Sequence, residues 1–257
     1  MYFKFIDKNI ILVQTLDRVY IRDLQKNSIV TLGNLGIVLS SDAEISEQKD
    51  SIVIVILVLR KVPQLELYYY DQQSLSVQIR QEPLPMYPRA SKVQIFGYNS
   101  QSYKVKIFVK GDYTQLEMFE VNRDPKQDKR IAIFQQALVA SEKELTCLKV
   151  LYGVLFIANK ESAKFIDLNS VTAQPKLVND NRIKLDFEAP HINFAVEVED
   201  FYYFATKDQL IKVPKADVAE ERSQRLLDLA VNVIQYQHQI IGLQPVGPDD
   251  IVVVHTV

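Results

Sequence analysis

The chain has 257 residues, 47% of them apolar and 24% charged, with a formal net charge of −2. This length can bury a large core in one domain or two small ones. The weak net charge provides no long-range field that would attract nucleic acid or a membrane. The only cysteine, Cys147, excludes an internal disulfide and thiolate-rich metal sites. With seven glycines, the chain has neither a Rossmann nor a P-loop pattern. The sequence therefore predicts an intracellular, cytoplasmic protein without a cofactor or a nucleic-acid partner.

Five alternating strands, each followed by a turn, recur along the chain. The residues that mark the strand ends are Asp23, Asp71, Asn122, Asp167 and Pro214. The steps between them are 48, 51, 45 and 47 residues, the size of a four-stranded propeller blade or a comparable repeat. A second apolar strand precedes each marked strand, at residues 10–16, 53–59, 105–111, 154–160 and 201–207.

Two further strands complete each predicted period. Inner candidates are "YFKFI", "GIVLS", "KVQIFGY", "LTCLKV" and "INFAVEV"; outer candidates are "SIVTL", "LSVQIR", "RIAIF", "KLV" and "RLLDL". A sixth period has "VNVIQY" (231–236), "IIGLQ" (240–244) and "DIVVVHTV" (250–257), without an outer strand. Helix is expected to be scarce, and the best candidate is 216–224, with Asp217 as the N-cap. Four strands per period are typical of a propeller.

This organisation resembles the WD40-like β-propellers in period and strand pattern over essentially the whole chain, although no Trp-Asp pair occurs. The resemblance implies an all-β fold, a single propeller over residues 1–257, with six blades and no outer strand in the last. The expected blades span about 1–33, 34–82, 91–136, 144–180, 190–230 and 231–257. A pair of β-sandwiches and a citron-homology-like propeller are the alternative architectures.

The sequence indicates no catalytic, cofactor-binding or metal-binding residue. None of the histidines His191, His238 and His255 has a second histidine or a carboxylate at metal-ligand spacing. Acid–base catalysis needs partners that converge in one pocket. We therefore predict a protein that is not an enzyme.

Cations recur in the turns between the second and third predicted strands. They are Arg18, Arg60, Lys61, Lys110, Lys160 and Lys207. In a propeller these turns open on one face, which the connection 81–92 should also reach with Arg89 and the apolar tip Met86-Tyr87. Such a face could bind an acidic peptide or a phosphate group. Acidic neighbours largely cancel the field, so solvated hairpins are the alternative. The partner-binding candidates here are Met86, Tyr87, Arg89, Arg60, Lys61 and Lys110.

The last predicted strand, "IVVVHTV", has apolar side chains and an unpaired backbone edge, which is an aggregation hazard when exposed. The edge could be tolerated, the chain could be a piece of a longer one, or a partner could supply a strand. Strand addition uses main-chain hydrogen bonds and needs no special motif. We predict that another protein subunit completes this blade and contacts Ile251 and Val253.

These features together favour a non-enzymatic scaffold for protein–protein interactions within a multiprotein complex of the trafficking, nuclear-pore, ciliary or RNA-processing type. Membrane contact would be indirect. One alternative is a membrane-recruited propeller that binds phosphoinositides, since residues 9–32 resemble a blade of those proteins; their Phe-Arg-Arg-Gly loop does not occur here. A propeller enzyme of the glycosidase or lyase type is a second alternative.

Overall fold

The computed structural model describes residues 2–32, 36–46, 48–80, 82–86, 88–110, 115–135, 145–151, 153–168, 176–177, 184–245 and 250–256. The chain divides into two compact units. The first comprises Met1–Gln136 and Ala173–Val178, and the second comprises Ala137–Thr172 and Asn179–Val257. Both units are built from antiparallel sheets, which confirms the all-β class.

The first unit contains three sheets in which each strand pairs antiparallel with the next. The first sheet consists of β1 (Tyr2–Phe5), β2 (Ile10–Gln14), β3 (Val19–Asp23) and β4 (Ser28–Thr31). The second consists of β5 (Ile37–Ile45), β6 (Ser51–Leu59), β7 (Pro63–Asp71) and β8 (Val77–Ile79), with β9 (Leu84–Pro85) also paired to β7.

The third sheet consists of β10 (Lys92–Asn99), β11 (Lys104–Lys110), β12 (Gln115–Val121) and β13 (Lys129–Gln135). A short 3-10 helix, Pro125–Gln127, lies in the turn between β12 and β13. The two-residue strand β17 (Lys176–Leu177) returns to this unit and pairs parallel to β13.

The second unit contains two four-stranded sheets and a hairpin. The fourth sheet consists of β14 (Cys147–Leu151), β15 (Val154–Ala158), β16 (Ser162–Asp167) and β18 (Lys184–Glu188). The fifth consists of β19 (Phe194–Val198), β20 (Phe201–Ala205), β21 (Gln209–Pro214) and β22 (Asn232–Gln235). The hairpin consists of β23 (Ile240–Pro245) and β24 (Ile251–His255). Between β21 and β22 lie α1 (Lys215–Ala219) and a 3-10 helix, Leu226–Leu229.

In the first two sheets, the polar residue at the end of the third strand closes the turn to the fourth strand. The Asp23 carboxylate accepts a hydrogen bond from the backbone N–H of Lys26 (2.9 Å). The Asp71 carboxylate accepts from Gln73 and Ser74 (2.9 and 2.8 Å). A short side-chain acceptor placed this way fixes a turn locally. The recurrence of these residues therefore marks the same turn in successive sheets.

The apolar run of β6 reflects burial on both faces of the second sheet. Val53, Val55 and Leu57 pack in one core cluster, and Ile54 and Ile56 pack in another. A strand covered on both sides has a continuous apolar sequence rather than an alternating one. In the second unit, aromatic rings fill the core, with Phe156 and Phe204 stacked at 4.9 Å between ring centroids.

The expectation of six blades is wrong, because the structure has five. The strand pattern predicts residues 231–236 in a sixth blade, but Asn232–Gln235 forms the fourth strand of the fifth sheet, paired with β21. The segment predicted for that position, "RLLDL", instead forms the 3-10 helix Leu226–Leu229. Among the described residues, only β23 and β24 then remain for a sixth sheet.

Two smaller expectations also differ from the structure. The predicted outer strand "KLV" lies beside β13 in the third sheet, and Lys184–Glu188 takes its place in the fourth. The helix expected over 216–224 is the shorter α1, whose N-cap is Pro214 rather than Asp217. Asp217 lies inside the helix and pairs with Arg222 at 2.7 Å. Within the described part of the chain, no helix is long and apolar enough to span a membrane.

Candidate protein-interaction site

The hairpin β23–β24 packs its apolar side against one face of the fifth sheet. Ile240 and Leu243 of β23 are buried together with Val196, Ala205 and Leu210 of that sheet. The side chains of Ile251 and Val253 on β24 pack against this cluster and are partly buried. The hairpin therefore covers part of the fifth sheet and stops at β24.

The outer backbone edge of β24 is open in the described structure. The N–H of Thr256 donates to the carbonyl of Gln239 (2.9 Å), so the backbone groups of Thr256 point toward the preceding strand. Because these groups alternate in an antiparallel pair, those of Val253 and His255 point away from β23. No other described strand pairs with β24. An extended peptide could therefore form main-chain hydrogen bonds there.

The face of the fifth sheet continues beyond the hairpin and becomes exposed. The register places Ala205, Leu210 and Ile234 in one row across β20, β21 and β22. Leu210 is 5% exposed, whereas Ile234 at the outer strand is 44% exposed. Stacked sheets pack about 10 Å apart with roughly aligned strands. The exposed part of the face thus lies where strands beyond β24 would pack.

A lysine and two aromatic rings occupy the next two rows of the same face. Lys212 lies opposite Tyr203 in the register. Its Nζ is 3.8 Å from the ring centroid of Phe201 and 5.6 Å from that of Tyr203. Attraction between the ammonium and the ring faces holds this cation in position. These two rows therefore present an aromatic surface with a fixed positive charge.

An ion pair lies at the end of the same sheet. Lys215 at the start of α1 pairs with the carboxylate of Glu197 in β19. Nearby, burial is the main cause that raises the pKa of Tyr202 to about 12, and the negative charge of Glu197 adds to the shift. The Glu197 carboxylate compensates the charge of Lys215. Lys212, by contrast, forms no ion pair with a described carboxylate.

The predicted cations have different environments. Arg18 is exposed beside Asp17, and Arg60 pairs with Glu66 at 2.7 Å. Lys61 is exposed in the same turn as Arg60, as are Lys160 and Lys207 in the corresponding turns of the second unit. Lys110, by contrast, is only 6% exposed at the end of β11, so its expected exposure at a binding face is wrong. Partner binding by the exposed cations stays a prediction.

The loop after β9 differs from the expected exposed tip. Met86 is buried in the core between the second and third sheets, and its backbone N–H donates to the carbonyl of Pro63 (2.9 Å). Arg89 is exposed. Tyr87 lies outside the described residues. Met86 therefore acts as a core side chain, and the role of Arg89 and Tyr87 in partner binding stays a prediction.

The histidines and the cysteine show no converging chemistry in the described ranges. The rings of His238 and His255 stack near the hairpin with centroids 5.8 Å apart, and His191 is exposed elsewhere. Cys147 is buried in β14. No group of three or more His, Cys, Asp or Glu side chains within those ranges could hold a metal ion.

Two buried polar centres stabilise the first unit, and neither is predicted from the sequence. The Asp42 carboxylate in β5 accepts from Lys4 Nζ of β1 (2.5 Å) and from the backbone N–H of Ile95 in β10 (2.7 Å). Arg80 forms two hydrogen bonds to the Asp128 carboxylate, at 3.3 and 2.7 Å. The signal for Asp42 was an acidic residue in the interior of a strand, in "IVLSSDAEI".

A polar cavity of about 600 Å³ opens beside Arg80. Its lining includes Arg80, Glu82, Arg123 and Asp124, so charges of both signs meet there. Arg123 lies over the ring of Tyr103 at 5.1 Å. Because the charges are mixed and Arg80 is already paired, the cavity favours no single class of ligand.

The surface formed by Lys212, Phe201, Tyr203 and Ile234 was also missed from the sequence. A signal was present in β21, "QLIKVP", where Leu210 and Lys212 must share a face because they are two residues apart. The hairpin determines which part of that face is covered. The alternation of side chains along β21 does not predict where the hairpin packs.

Comparison with known proteins identifies the fold. No protein-family model and no curated protein sequence matches the chain. Solved structures do match: BBS1N in complex with ARL6DN has a TM-score of 0.57 and 10% identity, covering 96% of this chain and 71% of that one. A chain of the mitotic checkpoint complex has a TM-score of 0.59 and 12% identity, covering 99% and 72%. Kluyveromyces lactis Hsv2 has a TM-score of 0.53 and 12% identity, covering 98% and 69%.

These three structures are WD40-type β-propellers. Their likeness shows that the present chain has the same fold, and it confirms the resemblance inferred from the period and strand pattern. At 10 to 12% identity, it shows the fold alone.

Proposed function

We propose that this propeller is a non-enzymatic, intracellular scaffold that holds protein subunits together in a multiprotein complex. Two of the similar structures support a role in protein binding, since BBS1N was solved in complex with ARL6DN and another is part of the mitotic checkpoint complex. The type of complex stays open among the trafficking, nuclear-pore, ciliary and RNA-processing classes.

The observation that carries the proposal is the open edge of β24 beside an incompletely covered sheet face. The backbone groups of Val253 and His255 point away from β23, and Ile234 on the adjacent sheet is exposed. A strand from another subunit would pair with this edge and bury apolar surface at the same time. The partner subunit thereby extends the two-stranded hairpin toward a full blade.

Hydrogen exchange, measured on the chain alone and on its native complex, tests this proposal. The complex is purified from its native cells through a tag on this chain. Backbone pairing slows exchange at the amides of Val253 and His255 only in the complex. Equal exchange in both states would contradict strand addition.

A proline at the open edge provides the genetic test. Val253→Pro removes an N–H that points away from β23, and a proline is tolerated at such a position. We expect the partner to be lost while the chain stays folded, with a lower unfolding midpoint because the partly buried Val253 side chain loses its packing against the apolar cluster. Val253→Thr is the matched control, because it keeps the N–H and the branched shape of the side chain. Retention of the partner by Val253→Pro would assign the interaction to another surface.

A further inference from the structure

We infer that the strand added at β24 carries an acidic side chain that pairs with Lys212, with an apolar side chain two residues away that covers Ile234. This inference rests on the proposed strand addition and specifies the chemistry of the partner segment. It concerns only the fifth sheet and the hairpin, which belong to one compact unit.

The position of the added strand follows from the packing of the hairpin. β23 packs on β19, the first strand of the fifth sheet. On the next strand, β24, Ile251 and Val253 pack against the buried cluster that includes Ala205 of β20 and Leu210 of β21. Because strands of two packed sheets run nearly parallel to each other, a third strand in the hairpin sheet would lie over β21. That strand of the fifth sheet carries Lys212.

The charge of Lys212 determines which side chain fits. In the described ranges, no carboxylate lies within 4 Å of its Nζ, which lies over the rings of Phe201 and Tyr203. An added strand would reduce the exposure of this ammonium to water. A partly buried cation needs a charged partner or hydrogen-bond acceptors to offset the lost hydration. An acidic side chain on the added strand supplies both.

The spacing follows from the register of the fifth sheet. Lys212 lies in the row of Tyr203 and Asn232, and Leu210 lies in the neighbouring row with Ile234. Side chains that are two residues apart on an added strand point to the same face. One of them reaches the Lys212 row, and the other reaches the row that contains the exposed Ile234. The recognised pattern is therefore acidic and apolar, separated by one residue, in either chain direction.

A displayed library of random dodecapeptides tests the pattern on the whole chain. We expect the selected peptides to carry an acidic residue two positions from an apolar one. On Lys212→Glu, the same selection should prefer a basic residue at the acidic position. Lys207→Glu is the matched control, since it reverses an exposed charge in the turn before the same strand. Its selection should equal that of the unaltered chain.

Matched peptides then measure the contribution of the ion pair. Replacing the selected acidic residue by glutamine should weaken binding to the unaltered chain about fivefold, within the range of partly exposed ion pairs. The same replacement should leave binding to Lys212→Gln unchanged. This second arm separates pairing with Lys212 from a general preference for acidic peptides.

The outcomes distinguish this inference from the proposal on which it rests. If the peptides lack an acidic preference but Val253→Pro abolishes their binding, the inference falls and strand addition stands. An acidic preference that persists on Lys212→Glu also overturns the inference. If binding survives Val253→Pro, strand addition itself falls. Failure to select any peptide over the Val253→Pro background counts against both.

Discussion

Ile234 lies directly opposite Leu210 across β21 and β22, yet Leu210 is 5% exposed and Ile234 is 44% exposed. The two side chains belong to one face of one sheet, and the difference arises because the hairpin packs over the first but not the second. Removing buried methyl groups leaves a cavity, whereas an exposed side chain has little packing to lose.

We therefore predict unequal effects of substitution in this row. Leu210→Ala should lower the free energy of unfolding by about 2–5 kcal/mol. Ile234→Thr, which keeps a β-branched strand former, should change it by less than about 0.5 kcal/mol. Urea titration followed by tyrosine fluorescence measures both. Equal losses for the two variants would mean that the outer part of the face is already covered.

Asp42 should be a major stabilising residue of the first unit. Its carboxylate connects β5 to Lys4 of β1 and to Gln94 and Ile95 of β10. Asp42→Asn removes the charge that compensates the largely buried Lys4, and loss of one partner of a buried pair costs about 3–5 kcal/mol. Asp17→Asn, in an exposed pair with Arg18, should cost less than about 1 kcal/mol in the same urea titration. Comparable losses would show that the Asp42 network contributes little.

The Arg80–Asp128 pair should show the asymmetry of buried ion pairs. Arg80 is only 2% exposed at its side chain, so Asp128→Ala leaves a buried cation without its carboxylate. We expect a loss of about 3–5 kcal/mol for this single variant. The double variant Arg80→Met with Asp128→Leu should recover most of the loss, because neither residue then has a buried charge. Thermal unfolding can detect this recovery, and a double variant as unstable as the single one would contradict the interpretation.

Alkaline pH should weaken the second unit through Tyr202. Its pKa is raised to about 12, mainly by burial, so the folded state holds the phenolic proton more tightly than the unfolded state. The stabilisation that neutral Tyr202 gives the folded state is complete below about pH 10 and is lost as the pH rises toward 12. Tyr202→Phe should show a shallower fall in unfolding free energy between about pH 9.5 and 11.5.

The unfolding free energy of Tyr202→Phe should still fall somewhat at alkaline pH, because other buried tyrosines remain. Tyr68 and Tyr69 in the first unit also have pKa values raised by burial, so the phenylalanine variant keeps part of the alkaline sensitivity. Parallel curves for the unaltered chain and Tyr202→Phe would show that Tyr202 does not ionise during alkaline unfolding.

Local chemistry explains why much of the fold could be predicted from the sequence. The side chains of Asp23 and Asp71 close their own turns within three residues, so their recurrence marks equivalent points of successive sheets. The run Ile52–Leu59 is long enough for one strand and is apolar on both faces, which predicts a doubly covered strand. These features depend on neighbours in the chain and can be recognised without the tertiary structure.

The tertiary structure alone decided how the strands are divided among the sheets. "VNVIQY" has the alternation of a strand in any blade, and only pairing with β21 assigns it to the fifth sheet. Met86 in a proline-rich connection suggests an exposed tip, but the side chain is buried between the second and third sheets. Lys212 is unremarkable within "QLIKVP" until the rings of Phe201 and Tyr203 lie beneath it. Strand alternation specifies which residues share a face, whereas long-range packing specifies which face is covered and which remains open to a partner.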